Sequence, residues 1–407
     1  MRRSGKHSNP KTEPKVRRKR NVAKLKVAVI GLGRIASTID DEIGKYQGNL
    51  LPYAHIACHM AVPDVEVVGM SDPWEEQREA ARQRWNVGEL YADYRQMLEE
   101  TRPDIVSVCT SAKPRGEILS AIANGNYGVK AIFAEKPITL SLAEADEAIE
   151  SCAKAGIVLG VNCTRRWIGN YRQALALVQD GAIGDLLYVR SQAQCGLSHN
   201  GSHLITTLTM YMPERATSLV GEAEIDPDQP DNDFPGSAVI SFPGKVRGYL
   251  RAFPNGPAEF STDIVGSDGA IRILHDAREI ELWTRQPGID NYENQKGQGA
   301  FGRRFFPTSQ NGRSGGVNAI YNLIDCIESG EDPHCSGHDA REALEIAIAI
   351  RESEHQHNQT VKLPIDDRNL KIISNEVVRS ELPRAILRQR EGMTPADWKK
   401  WQDRKRS

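Results

Sequence analysis

Lys26-Val27-Ala28-Val29-Ile30 is a short apolar run of the kind buried on both faces of a parallel sheet, and it feeds directly into Gly31-Leu32-Gly33-Arg34-Ile35-Ala36. The pattern is GxGxxA. Its first glycine permits a tight turn, its second lets backbone approach a pyrophosphate, and the small Ala36 permits close helix packing. Amides of Gly31, Gly33, Arg34 and Ile35 at the helix start then become the diphosphate contacts. A second strand, Val65-Glu66-Val67-Val68-Gly69-Met70, ends at Ser71-Asp72-Pro73. Asp72 is placed to accept hydrogen bonds from the adenosine ribose hydroxyls, and its carboxylate repels a 2′-phosphate, which favours NAD over NADP. Asp72 lies 39 residues beyond Gly33, where about 20 is usual. An insertion from Ser37 to about Ala54 accounts for the excess, with two readings open: a wall of the active site or a surface loop.

Strands and helices go on alternating. Trp74 to Trp85 reads as a helix, Ile105 to Cys109 as a strand and Glu117 to Ala123 as a helix. Ala131 to Ala134 reads as a strand, and Ser141-Leu142-Ala143-Glu144 is a capping box opening a helix to about Lys154, before a strand at Ile157 to Val161. With the fingerprint, this alternation specifies a doubly wound parallel sheet. At 407 residues the chain exceeds one core, so two domains are expected. The stretch that most narrows the chemistry is Glu135-Lys136-Pro137, which ends the Ala131–Ala134 run about a hundred residues after the fingerprint. A lysine there sits beside a nicotinamide ring.

The fingerprint, Asp72, Thr110 at the end of the fourth strand and Glu135-Lys136-Pro137, all in order, resemble the Gfo/Idh/MocA oxidoreductases, the glucose-fructose oxidoreductase and inositol dehydrogenase family. The resemblance continues through Gly160-Val161-Asn162, Arg165-Arg166-Trp167, Gly181-Ala182-Ile183-Gly184, Gly266 to Ile271 and Val361-Lys362-Leu363-Pro364, covering about residues 24 to 366. It implies an α/β N-terminal Rossmann domain over 24–163. It also implies an α+β C-terminal domain over 164–366 with a large, mostly antiparallel open sheet. Residues 1–23 form a basic tail and 367–407 a C-terminal extension. The sequence agrees with β-like segments at Leu187–Gln192, Ala238–Phe242, Arg247–Ala252, Ser261–Val265 and Ile280–Thr284. In such proteins the exposed sheet face builds a homodimer or homotetramer, and the same is expected here.

The resemblance also assigns roles. Glu135, Thr110 and Lys136 join the cofactor site, and Lys136 takes part in proton transfer at the substrate hydroxyl. Burial beside a cationic nicotinamide suits an amine to act as a base. His203 is the general base or substrate-orienting group, with Asn162, Arg165 and His199 lining the pocket. Many family members show Asp-x-Gly-x-His-x-x-Asp where this chain has His199, Gly201, His203 and Thr206, so both acids are replaced. They also show Thr-Pro-x-x-x-His where this chain runs from Thr110 to Arg115, and Arg115 there is expected at the pocket rim, suited to an anionic substrate.

The expected activity is NAD-dependent oxidation of a secondary alcohol in a small polyhydroxylated substrate, a sugar, cyclitol or derivative. Two rivals stay open. One is an NAD-using lyase or glycosidase with transient oxidation, and the other is a sensor that binds dinucleotide without chemistry. No metal is expected, since the seven cysteines show no CxxC pair or zinc spacing. They read as reduced residues of a cytoplasmic protein, with Cys109 an apolar filler. No apolar run approaches the length of a membrane span, and no secretory signal is visible at the amino terminus. Residues 1 to 24 hold ten Lys or Arg and one acid, leaving the rest with 42 basic and 53 acidic side chains, a net of −11. Such a body repels nucleic acid, and the basic segment reads as a solvated tail. The closing stretch Asp397 to Ser407 is polar and basic, and with Trp398 and Trp401 part of it is expected to pack as a helix on the body or a partner subunit.

Overall fold

The computed structural model describes residues 23–45, 50–256, 259–285, 301–307 and 312–374. The basic segment at 1–22 and the tryptophan-bearing stretch at 397–407 lie outside them. The first half builds a six-stranded sheet from β1 (Leu25–Ile30), β2 (Val65–Ser71), β3 (Glu89–Tyr91), β4 (Ile105–Val108), β5 (Ala131–Ala134) and β6 (Val158–Val161). Every pairing is parallel and the order is β3-β2-β1-β4-β5-β6. The order reverses between β1 and β4, where ligands of such sheets bind beyond the carboxyl ends of the strands.

The first helix is broken by the insertion. It survives as α1 (Arg34–Ser37) and α2 (Asp40–Ile43), and helical chain resumes at α3 (His55–Met60). Asp40 Oδ1 accepts from the amides of Tyr53 (2.9 Å) and Ala54 (2.7 Å). Arg84 pairs with Asp41 through two bonds of 2.8 and 2.7 Å. The crossovers are completed by α4 (Glu75–Trp85), α5 (Tyr94–Thr101), α6 (Ala112–Asn124) and α7 (Leu142–Lys154). Ser141 and Glu144 form the expected reciprocal capping box. Helix α6 begins before the predicted Glu117, because Pro114 falls in its first turn, where a missing N–H costs nothing.

After the turn Thr164–Trp167 and α8 (Gly169–Gln179), the second half forms a nine-stranded sheet. Its strands are β7 (Leu186–Gln194), β8 (Ser218–Ala223), β9 (Gly236–Ser241), β10 (Arg247–Phe253), β11 (Ser261–Gly266), β12 (Gly269–Leu274), β13 (Glu279–Arg285), β14 (Phe301–Pro307) and β15 (Val361–Lys362). Neighbours in the order β14-β13-β12-β11-β7-β10-β9-β8-β15 are antiparallel except β7 and β10. Strands such as β10 alternate buried and exposed residues, so one face is covered. That face packs on α9 (Gly201–Thr209), which follows β7, and on α11 (Gly337–His355).

Helix α11 also touches α7, so it is squeezed between the halves. Ile346 to Ile350 are accordingly buried all round the helix. Each buried isoleucine there contributes about 2 kcal/mol. The preceding helix, α10 (Gly315–Ser329), returns to the first sheet and buries Val317, Ile320 and Leu323 in one core with Val27, Val29 and Phe133.

Candidate functional site

The loops after β1 and β4 meet at the switch point. Gly31 has φ +86°, and a Cβ there would stand 3.1 Å from both Cys109 C and Thr110 N, so only glycine fits. A Cβ on Gly33 would meet no protein atom within 4 Å. Its backbone thus faces open space, as close approach by a diphosphate needs. The hydroxyl of Thr110, whose backbone Gly31 meets, is buried without a hydrogen-bond partner among the described residues. Asp72 ends β2 as expected and braces the turn, its Oδ2 accepting from Leu32 N (2.9 Å) and its Oδ1 from Trp74 N (2.9 Å). Arg34 is exposed and pairs with Glu42 through bonds of 2.6 and 2.7 Å, while Ile35 is half-buried in α1. These residues fit a dinucleotide.

Beyond the end of β5, Glu135 is buried and Lys136 is half-buried. Glu135 Oε1 accepts from Asn162 Nδ2 at 2.7 Å and lies 3.1 Å from His55 Nε2. Burial alone would raise its pKa. The hydrogen bond and charge of His55, then the charges of Lys136 and Arg115, outweigh burial and hold Glu135 down to about 2. The chain of contacts runs on from His55 Nδ1 to Ser107 Oγ (3.1 Å), and from Ser107 Oγ to His59 Nε2 (2.8 Å). In the other direction Thr164 Oγ1 donates to Asn162 Oδ1 (2.9 Å). Sequence reasoning missed His55, His59 and Ser107. The available signal was the pair of histidines opening the helix right after the insertion, which therefore serves the site at least through its end.

The second half contributes the turn before α9. The His199 ring lies 3.2 and 3.3 Å from Lys136 Nζ through its two nitrogens. His203, one turn along, is buried with Nδ1 unpartnered among the described residues. Burial first, then the charges of Arg165, Lys136 and His199, push its pKa well below the ordinary histidine value, so the imidazole is neutral. Thr206 is turned into its own helix, its hydroxyl donating to Ser202 O (2.7 Å). It cannot stand in for the acid it replaces.

Two further residues expected at the substrate are held by protein partners. Asn162 divides its amide between Glu135 and Thr164. Arg165 directs Nε and Nη2 to Asp276 at 2.8 Å each, stacks on Phe260, and shares Asp276 with the Tyr171 hydroxyl at 2.9 Å. The expectation for Arg115 is corrected. It is 1% exposed and donates to the carbonyls of Pro137 and Thr110, clamping the loops after β4 and β5 from within rather than charging the pocket rim. Two carbonyls reward a five-donor fork more than a solvated rim does. Among the described residues no group of three or more His, Cys, Asp or Glu is placed to hold a metal.

Residues 25–163 match the model of an oxidoreductase family with an NAD-binding Rossmann fold. The myo-inositol 2-dehydrogenase of Thermotoga maritima is 26% identical over 356 residues, spanning 83% of this chain and 98% of that protein. The scyllo-inositol 2-dehydrogenase (NAD(+)) of Bacillus subtilis is 29% identical over 358 residues, 81% of this chain and 94% of that one. A crystal structure of a probable dehydrogenase from Thermotoga maritima superimposes with a TM-score of 0.64 at 22% identity, over 83% of this chain and 99% of the other, and shares the fold. With the fingerprint at the switch point, residues 25–163 form an NAD-binding Rossmann domain of the Gfo/Idh/MocA oxidoreductase type, and the likeness to the two inositol dehydrogenases runs on through both sheets.

Proposed function

We propose that this protein is a dehydrogenase that oxidises a secondary alcohol of a sugar, cyclitol or sugar derivative, using NAD. The observation that carries the reading is the meeting of Lys136 Nζ, from the end of β5, with the His199 ring beside neutral, buried His203. Relatives that share most of the chain's length are inositol dehydrogenases, which supports a polyhydroxylated substrate.

Residues 24–163 serve as the cofactor domain, 164–366 as the substrate and assembly domain, and 367–407 as an extension. Gly31, Gly33, Arg34, Ile35, Asp72, Thr110, Glu135 and Lys136 hold NAD, which when bound supplies the hydride acceptor. Lys136 and His203 orient the substrate hydroxyl and take its proton, so that the carbinol leaves as a carbonyl compound. A neutral imidazole whose Nδ1 has no partner among the described residues is suited to that exchange. His199, Asn162 and Arg165 complete the substrate side. Ionised Glu135, fixed by His55 and Asn162, holds Lys136 in place by charge and through the Lys136 N–H (3.2 Å to Oε2).

The outer face of the nine-stranded sheet exposes Leu187, Val220, Val239 and Tyr249, an apolar surface suited to a homodimer or homotetramer. Among the described residues no helix is long and apolar enough to cross a membrane, and the proposed place of action is the cytoplasm.

The test is Lys136→Met, assayed with NAD and cyclitols or sugars. Turnover should fall by at least about 10²–10⁴-fold, the usual worth of a positioned acid–base group, with NAD affinity retained. Normal turnover by the variant would overturn the assignment.

A further inference from the structure

Helix α9 carries His203, yet its N-cap residue, Asn200, makes no side-chain cap. The free amides just before the helix are taken from outside. Asp233, on the loop between β8 and β9, accepts from Ser198 N through Oδ1 (2.7 Å) and from His199 N through Oδ2 (2.9 Å). Both carboxylate oxygens therefore grip the two residues that aim the His199 ring. The grip depends on Gly196, because a Cβ there would lie 2.6 Å from Asp233 Cγ. Asp233 also lines, with Gln194, His199 and Asn200, a cleft of about 280 Å³ beside that ring.

The loop bearing Asp233 is itself braced. Ile373 N donates to Asp231 O (2.7 Å) and Asp233 N donates to Ile373 O (3.0 Å). One residue earlier, Ile372 N donates to Leu140 O (3.1 Å), in the segment that follows Lys136-Pro137. Arg351 Nη1 holds this brace by donating to Lys371 O (2.7 Å). A single closing strip of chain thus touches both the segment that carries Lys136 and the loop that aims His199.

We propose that Asp233 is a positioning residue, braced by residues 371–373, that holds the His199 imidazole against Lys136. A charged acceptor for two amides is worth more than a neutral one, and it fixes the turn rather than the substrate. The proposal rests on the dehydrogenase reading only where turnover is measured.

The decisive measurement needs no substrate. Histidine labelled with ¹³C at Cε1 gives an NMR signal for His199, assigned by its loss in His199→Ala. In the parent protein that signal should move on Lys136→Met, because the two groups touch. In Asp233→Ala the response to Lys136→Met should vanish, whereas Asp233→Asn, which keeps an acceptor oxygen, should preserve part of it. Gly196→Ala drives a methyl against the Asp233 carboxylate and so pushes the turn off it while keeping Asp233 in the chain, and should reproduce the loss if Asp233→Ala fails to fold. A full response to Lys136→Met in Asp233→Ala or in Gly196→Ala overturns the proposal.

The kinetic arm uses the cyclitol or sugar turned over by the parent protein. Asp233→Ala should lower kcat about tenfold or more, a loss of about 1.4 kcal/mol or more, with KM for NAD unchanged. Added to His199→Ala, it should cost nothing further. Full multiplication of the two losses would mean that Asp233 acts on substrate directly, and would overturn the positioning role. Absence of any turnover in the parent would sink the dehydrogenase reading and leave the NMR result to decide Asp233.

Discussion

Glu135 keeps its charge in a place where burial favours the neutral acid, and the histidines behind it are the reason. His55 supplies a hydrogen bond, and Ser107 ties His55 to His59. His59 stays neutral, burial first and then the charge of His55 pushing its pKa down from 6.5 to about 3. Because the folded value lies below the unfolded one, the unfolded chain takes up the proton first as pH falls. The stability from neutral His59 is therefore complete above 6.5 and is lost progressively as pH drops through that window toward about 3. At pH 5 the loss from this residue is about 2 kcal/mol. We expect the urea midpoint to fall between pH 7 and pH 5, and to fall less in His59→Gln; equal falls in the two proteins would contradict the account. Lys136, His203 and Asp72 were legible because each belongs to a short motif at the end of a strand or start of a helix. His55, Ser107 and Asp233 were not, since each matters only through a partner 34 or more residues away.

Among the elements, the loop after β1 concentrates the constraint. Gly31→Ala puts a Cβ at φ +86° and 3.1 Å from backbone atoms of Cys109 and Thr110. The conformation costs about 1–2 kcal/mol, and relief requires the loops after β1 and β4 to part. NAD affinity should therefore drop by about tenfold or more, each tenfold being 1.4 kcal/mol, as read by titrating bound-nucleotide fluorescence. Unchanged affinity with unchanged stability would contradict the close meeting of these loops. Most of the parallel strands were readable as short, mainly apolar runs, and much of the second sheet as β-like segments. Strand β8 was not, because Gly221 reads as a break. In the fold it is a packing device: a Cβ there would lie 3.0 Å from Ser237 O and 3.1 Å from Ile350 Cγ2, so the glycine lets α11 lie close on the sheet. Strand β3, three residues long, offers too short a pattern to read.

The whole molecule joins two sheets by more than one crossing of chain. Helix α10 returns to the first sheet, α11 is held between the halves, and the strip at 371–373 is tied to Leu140 on one side and Asp231 on the other. Arg368 and Arg341 reinforce that seam by reaching Asp146 of α7 at 2.8 and 2.9 Å. The doubly wound parallel sheet and the two-sheet plan were visible from the fingerprint and the family motifs. These returns were not, since α10 and the closing strip have no motif that says which sheet they cover. Their consequence is a fixed distance between Lys136 on one half and His199 and His203 on the other, on which the proposed alcohol oxidation depends. The most direct test is to incubate the protein with NAD and a panel of cyclitols, sugars, sugar acids and glycosides, following NADH formation and substrate loss together. The account predicts NADH formed in step with the loss of one polyol and the appearance of its carbonyl product. Substrate consumed without net NADH would contradict it, and would point instead to oxidation that is reversed within the same turnover.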